Sequence, residues 1–125
     1  MNVSRFAHAM LFVSDVARMQ EFYVTAFDLV AEPGGDGELV QLRGADGSAG
    51  IALHRIRDGE PIASPPAWRE DSYVKLCFAV PDLDAIRARV AAHGGETREP
   101  WTWQGRLFSE AVDPEGNRLQ LVATV

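Results

Sequence analysis

The chain has 125 residues and carries 18 acidic against 12 basic side chains, a net charge of −6. That length supports one domain with a real core and not two independent ones, and the negative balance repels a phosphate backbone, so nucleic acid is not an expected partner. No apolar run reaches membrane-spanning length, "MNVSRFAHAMLFV" lacks the features of a secretory leader, and the single cysteine, Cys77, fits a reducing cytoplasm.

The first element is the alternating stretch "FAHAMLFVSDV" at 6–16. Alternation predicts a strand with two distinct faces: Ala7, Ala9, Leu11 and Val13 on one, Phe6, His8, Met10 and Phe12 on the other. Ser14 or Asp15 can cap the helix that follows, where Val16, Met19, Tyr23, Ala26 and Phe27 recur at helical spacing. "EPGGDGE" at 32–38 reads as a turn; it follows a helix and does not match GxxxxGK[ST], so it is no phosphate loop. Strands are expected at 38–43 and 49–55, joined by "GADGS". The segment 58–71 is proline-rich and aperiodic and reads as a connecting loop.

A second strand–helix unit begins at "YVKLCFAVPDL", 73–83. Val74, Leu76, Phe78 and Val80 share one face; Tyr73, Lys75, Cys77 and Ala79 share the other. Asp82 can cap a helix with Leu83, Ile86 and Val90 on one side, ended by Gly94 and Gly95. His93, just before those glycines, favours the negative helix terminus. Strands follow near 96–101, at 105–112 and at 117–123, the last two joined by the turn "DPEGN".

These units repeat one another. The two opening stretches align without a gap at an offset of 67, pairing His8 with Lys75 and Asp15 with Asp82. "ADGSAGIAL" and "DPEGNRLQL" are equivalent with a slip of one residue, which pairs Ala52 with Gln120. The expected architecture is α+β: two βαβββ modules, 1–57 and 72–125, joined by the linker 58–71 in a single domain. A pseudo-twofold arrangement would bring His8, Ala52, Lys75 and Gln120 towards one cavity, because they are equivalent pairs of like parity.

With "HAMLFVSDVARMQEFYVTAFDL" near the start and "DPEGNRLQLV" near the end, the chain resembles the vicinal oxygen chelate superfamily. That group includes glyoxalase I, extradiol dioxygenases, fosfomycin-resistance enzymes and bleomycin-resistance binding proteins. The resemblance implies paired βαβββ modules in a cupped mixed sheet around a cleft, in a homodimer. It also implies metal ligands at four equivalent points, which fall on His8, Ala52, Lys75 and Gln120. Of these only His8 is a good ligand. Ala52 offers no donor atom, Lys75 would repel a divalent cation, and Gln120 presents a neutral amide where a relative usually presents Glu. A transition metal or Zn²⁺ normally takes at least three ligands from His, Cys, Asp and Glu, so no cofactor is expected and a divalent metal is disfavoured. A shifted site using His8, His54 and Glu110 is the alternative, since His54 shares the parity of Ala52.

Other side chains speak for binding. Trp101 and Trp103 alternate in "PWTWQGRLF" and share a face if that stretch is extended; Trp68 lies in the linker. Indole rings offer flat apolar area and attract cations over their faces. Lys75, the only lysine, either contacts an anionic ligand group or pairs with a carboxylate. Cys77 reads as a small packing residue. The expected function is capture of an aromatic or cationic small organic molecule, with His8, His54, Trp68, Lys75, Trp101, Trp103 and Gln120 as ligand contacts and no catalytic residue assigned. The alternatives are a glyoxalase-like lyase, isomerase or dioxygenase with a metal near His8, and a metal-free isomerase or hydrolase using His8 and Lys75.

Overall fold

A computed structural model describes residues 2–56 and 62–124. Residues 57–61, which include the end of the first module and the start of the linker, lie outside the described residues. The chain divides into two compact units, 1–60 and 61–125, each with its own sheet.

In the first unit the elements run β1 (His8–Val13), α1 (Val16–Phe27), β2 (Val30–Ala31), β3 (Leu39–Arg43) and β4 (Gly50–Arg55). The sheet order is β1-β4-β3-β2, with β1 parallel to β4 and the other pairs antiparallel. Asp15 is the cap of α1: its side chain accepts from the Arg18 N–H at 3.0 Å, satisfying one of the donors a helix start leaves open. The helix buries Val16, Met19, Phe22, Tyr23 and Ala26. Phe22 belongs to this stripe although the spacing pointed to Phe27, which is only half-buried. The Phe22 and Tyr23 rings meet edge to face at 4.9 Å.

The second unit runs β5 (Leu76–Val80), α2 (Leu83–Ala92), β6 (Glu96–Thr97), β7 (Trp101–Trp103), β8 (Arg106–Val112) and β9 (Arg118–Ala123). Its sheet order is β5-β9-β8-β6, and β7 also pairs with β8. The α+β fold with two βαβββ modules is thus present, and registers place the repeat. Met10 stands opposite Ala52 in the first sheet as Cys77 stands opposite Gln120 in the second, which fixes Ala52 and Gln120 as equivalents. Asp82 caps α2 by accepting from the Ala85 N–H at 3.0 Å, and His93 is its C-cap.

Two local expectations need correction, and one short strand is added. β5 begins at Leu76 and not at Tyr73, because the Ser72 hydroxyl bonds both the N–H and the carbonyl of Val74 and holds that segment in a local turn. The single strand expected near 96–101 is two short ones, since Pro100 has no N–H to give to a ladder and Arg98 alone bridges the gap through Glu110 O. The added strand is β2, which at two residues is too short to show a periodic pattern in the sequence.

The turn at 113–117 is tightly built. Asp113 is buried; its Oδ1 accepts from the Glu115 and Asn117 N–H groups, both at 2.9 Å, and its Oδ2 accepts from Asn117 Nδ2 at 2.8 Å. Gly116 takes φ +84° and donates to Asp113 O, while its own carbonyl accepts from the Arg69 N–H at 3.2 Å. The far part of the linker is therefore bonded onto this hairpin.

Candidate functional site

Each sheet keeps one face against its helix and leaves the other open. In the first module the alternation of β1 puts Val13 in the core, while Met10 and Phe12 are exposed and His8 is half-buried. His8 stands opposite Gly50, and Phe12 opposite His54. The His54 ring lies 5.5 Å from that of Phe12, and its Nδ1 is 2.9 Å from the Arg55 carbonyl oxygen. Ala52, between the two histidine positions, is fully buried and brings no donor atom.

In the second module the ladder aligns Cys77, Gln120 and Glu110 in one row and Ala79, Val122, Phe108 and Trp101 in the next. Trp103 follows on the same face, opposite Arg106. Trp101 stacks on Phe108 with centroids 5.5 Å apart and planes 16° from parallel, and Trp103 is tilted against the same ring at 6.2 Å. The two indoles remain open, Trp101 at 38% and Trp103 at 59% of full exposure. The sequence reading that they share a face is correct, and Phe108 is the partner it did not name; the parity of Phe108 within β8 was the available signal.

Lys75 is not a free amine. Its Nζ donates to Glu110 Oε1, and Arg118 Nη2 approaches Glu110 Oε2 at 3.5 Å. Glu110 and Arg118 side chains are each 14% exposed, and Arg118 Nε is buried without a hydrogen-bond partner. Arg118 also reaches Glu70 at 3.9 Å, and Glu70 accepts from Arg98. The Arg98 guanidinium sits 3.8 Å over the Trp68 ring, so that indole face is covered by a cation from its own module. Sequence reasoning saw Glu110 only as a potential metal ligand. The signal for the network was three charged residues, Lys75, Glu110 and Arg118, on or beside strands of one sheet. Cys77 is exposed on the open face, which corrects its expected packing role.

The donor set does not fit a resident metal of the superfamily kind. Along the parallel β1–β4 pair, His8 and His54 are four registers apart, about 13 Å at ~3.3 Å per residue, too far for one ion. On the second module, an ion beside Glu110 would meet the Lys75 and Arg118 cations that already neutralise it. Among the described residues no group of three or more His, Cys, Asp or Glu could hold one. No helix there is long and apolar enough to cross a membrane.

This pair of βαβββ modules, each with one open face, is the architecture of the vicinal oxygen chelate class. The chain belongs to the Glyoxalase/Bleomycin resistance protein/Dioxygenase superfamily, whose family model matches residues 5–121. Its fold is similar to that of a glyoxalase family protein from Bacillus cereus, at 18% identity over 98% of this chain and 95% of that one, with a TM-score of 0.77. It is also similar to the fosfomycin resistance protein FosX from Listeria monocytogenes, at 16% identity over 99% and 96% of the two chains, TM-score 0.74. The FosX protein from Mesorhizobium loti is similar at 17% identity over 99% and 95%, TM-score 0.72. No curated protein sequence matches the chain.

Proposed function

We propose that the protein binds a small aromatic or cationic organic molecule without a resident metal, and that capture is its function. The observation that supports this most is the pair of exposed indoles, Trp101 and Trp103, set side by side on Phe108 on the open face of the second module. A planar ligand stacked there gains apolar contact at little entropic cost, because the rings are already positioned. Gln120, opposite Glu110 on the same face, supplies an amide for orientation, and Lys75 places its ammonium beside that carboxylate. Trp68, with the Arg98 guanidinium over one face of its ring, is the contact offered by the linker. The chain's net charge of −6 attracts a cationic compound from a distance.

Tryptophan fluorescence titration with cationic glycopeptide and polycyclic antibiotics, and with fosfomycin as a non-aromatic arm, tests the reading. Saturable quenching by an aromatic compound is expected, with Trp103→Ala weakening it at least about tenfold. Quenching unchanged in Trp103→Ala, or silence across the panel, contradicts it. A second copy of the chain is the proposed partner and the cytoplasm the proposed compartment, the latter in keeping with the free, exposed thiol of Cys77.

A further inference from the structure

The first module carries a cavity that the aromatic face does not use. It has a volume of about 410 Å³ and lies where β1 and β4 begin and β3 ends, against the 44–49 hairpin. Its polar lining is Arg5, His8, Glu32, Gln41, Arg43 and Ser48. Three observations define its chemistry. First, Gly50 stands opposite His8, and the β3–β4 register puts Arg43 one step beyond the Leu42–Ile51 pair; a Cβ at Gly50 would fall 1.9 Å from the Leu42 carbonyl oxygen, so only glycine lets β3 approach here and carry Arg43 to the cavity edge. Second, Glu32, the only carboxylate in the lining among the described residues, is engaged: its Oε1 is 2.8 Å from Arg43 Nε, which leaves the terminal nitrogens of that guanidinium for another acceptor. Third, Arg5 pairs with no carboxylate among the described residues. Among the described residues, two guanidiniums against one carboxylate reverse the local charge in a chain whose overall charge is −6.

We propose that this cavity binds an oxyanion, the carboxylate or phosphate group of a small molecule, held by Arg5 and Arg43 with His8 and Ser48 as hydrogen-bond partners. Guanidinium presents its N–H groups in a planar fork that matches two oxygens of such a group, and a charge-assisted bond of this kind is stronger than a neutral one. Glu32 sets the orientation of Arg43 and opposes the anion, so its removal and the removal of either arginine act in opposite directions. The site lies entirely within the first module, so it stands or falls separately from the aromatic face of the second.

The test is an NMR titration of the full chain at fixed pH and ionic strength, following the ring C–H signals of its three histidines. Sodium phosphate and sodium acetate are the two probes, with sodium chloride as the control, and His8→Asn identifies the His8 signals. A saturable shift of the His8 signals by phosphate, acetate or both is expected, with His93 unmoved; the probe that binds tighter tells phosphate from carboxylate recognition. Arg5→Gln and Arg43→Gln each weaken binding about tenfold, while Glu32→Gln tightens it. Arg5 and the Arg43–Glu32 pair are exposed, so these variants keep the fold. The proposal is overturned by a response equal to that of chloride, by affinity unchanged in both arginine variants, or by weaker binding in Glu32→Gln.

Discussion

Replacing Gly116 by alanine separates two costs that a turn glycine normally hides together. Gly116 and Gly47 occupy equivalent hairpins and have nearly the same backbone angle, φ +84° and +85°. A Cβ at Gly47 meets nothing within 4 Å, whereas at Gly116 it falls 1.9 Å from the Ala67 carbonyl oxygen. Gly47→Ala therefore costs only the left-handed backbone penalty, about 1–2 kcal/mol. Gly116→Ala adds expulsion of the 67–69 segment and loss of the Arg69 N–H bond to Gly116 O, about another 1–2 kcal/mol. A total near 3 kcal/mol lowers the midpoint by roughly 12 °C in a domain of this size, against about 4–8 °C for Gly47→Ala. Thermal and urea unfolding, followed by circular dichroism, reads both. Equal losses in the two variants would refute the claim that the linker is seated on the closing hairpin.

Further outcomes follow from the charges. Glu110→Gln leaves Lys75 and Arg118 without their shared carboxylate and costs about 1–2 kcal/mol in urea unfolding, because Glu110 is mostly but not fully buried; no loss would mean the network is ornamental. The Asp36 carboxyl is held below its ordinary value, chiefly by the N–H of Glu38 and then by that of Leu39. A lowered folded pKa stabilises the 36–39 turn above the ordinary aspartate value of about 3.9 and loses that support as pH falls through the folded value. NMR titration of Asp36 checks the direction, and a midpoint at or above the ordinary value contradicts it. The Glu70 carboxyl is likewise lowered, first by its hydrogen bond from Arg98, and Arg98→Met returns it upward.

The fold was legible because its signals are local and repeated. Alternation in 6–16 and 73–83 separates a helix-facing row from an open row, and that division survives in the burial of Val13 and Val80 against the exposure of Phe12 and Cys77. The Asp82 cap was visible for the same reason, as was the first cap to within the neighbours Ser14 and Asp15, since a cap depends on three or four consecutive residues. What the sequence left open depends on registers between distant segments. The separation of His8 and His54 follows from the parallel pairing of β1 with β4, and no local pattern encodes it. The same holds for Lys75, which meets its carboxylate 35 residues away in β8. Phe108 under the two tryptophans is intermediate: the 101–103 and 106–108 pattern around Gln104 and Gly105 is a short hairpin, and parity within it would have placed Phe108 beside Trp101.

Isothermal titration with whichever aromatic compound quenches the tryptophans, run on chelator-treated protein and again after incubation with Zn²⁺, Ni²⁺, Mn²⁺ or Fe²⁺, tests capture without a resident metal most directly. The expected result is one saturable binding event of equal affinity in both preparations, lost or at least about tenfold weaker in Trp103→Ala and unaltered in His54→Ala. Binding that appears only with stoichiometric metal, and that His8→Ala abolishes while Trp103→Ala does not, contradicts it.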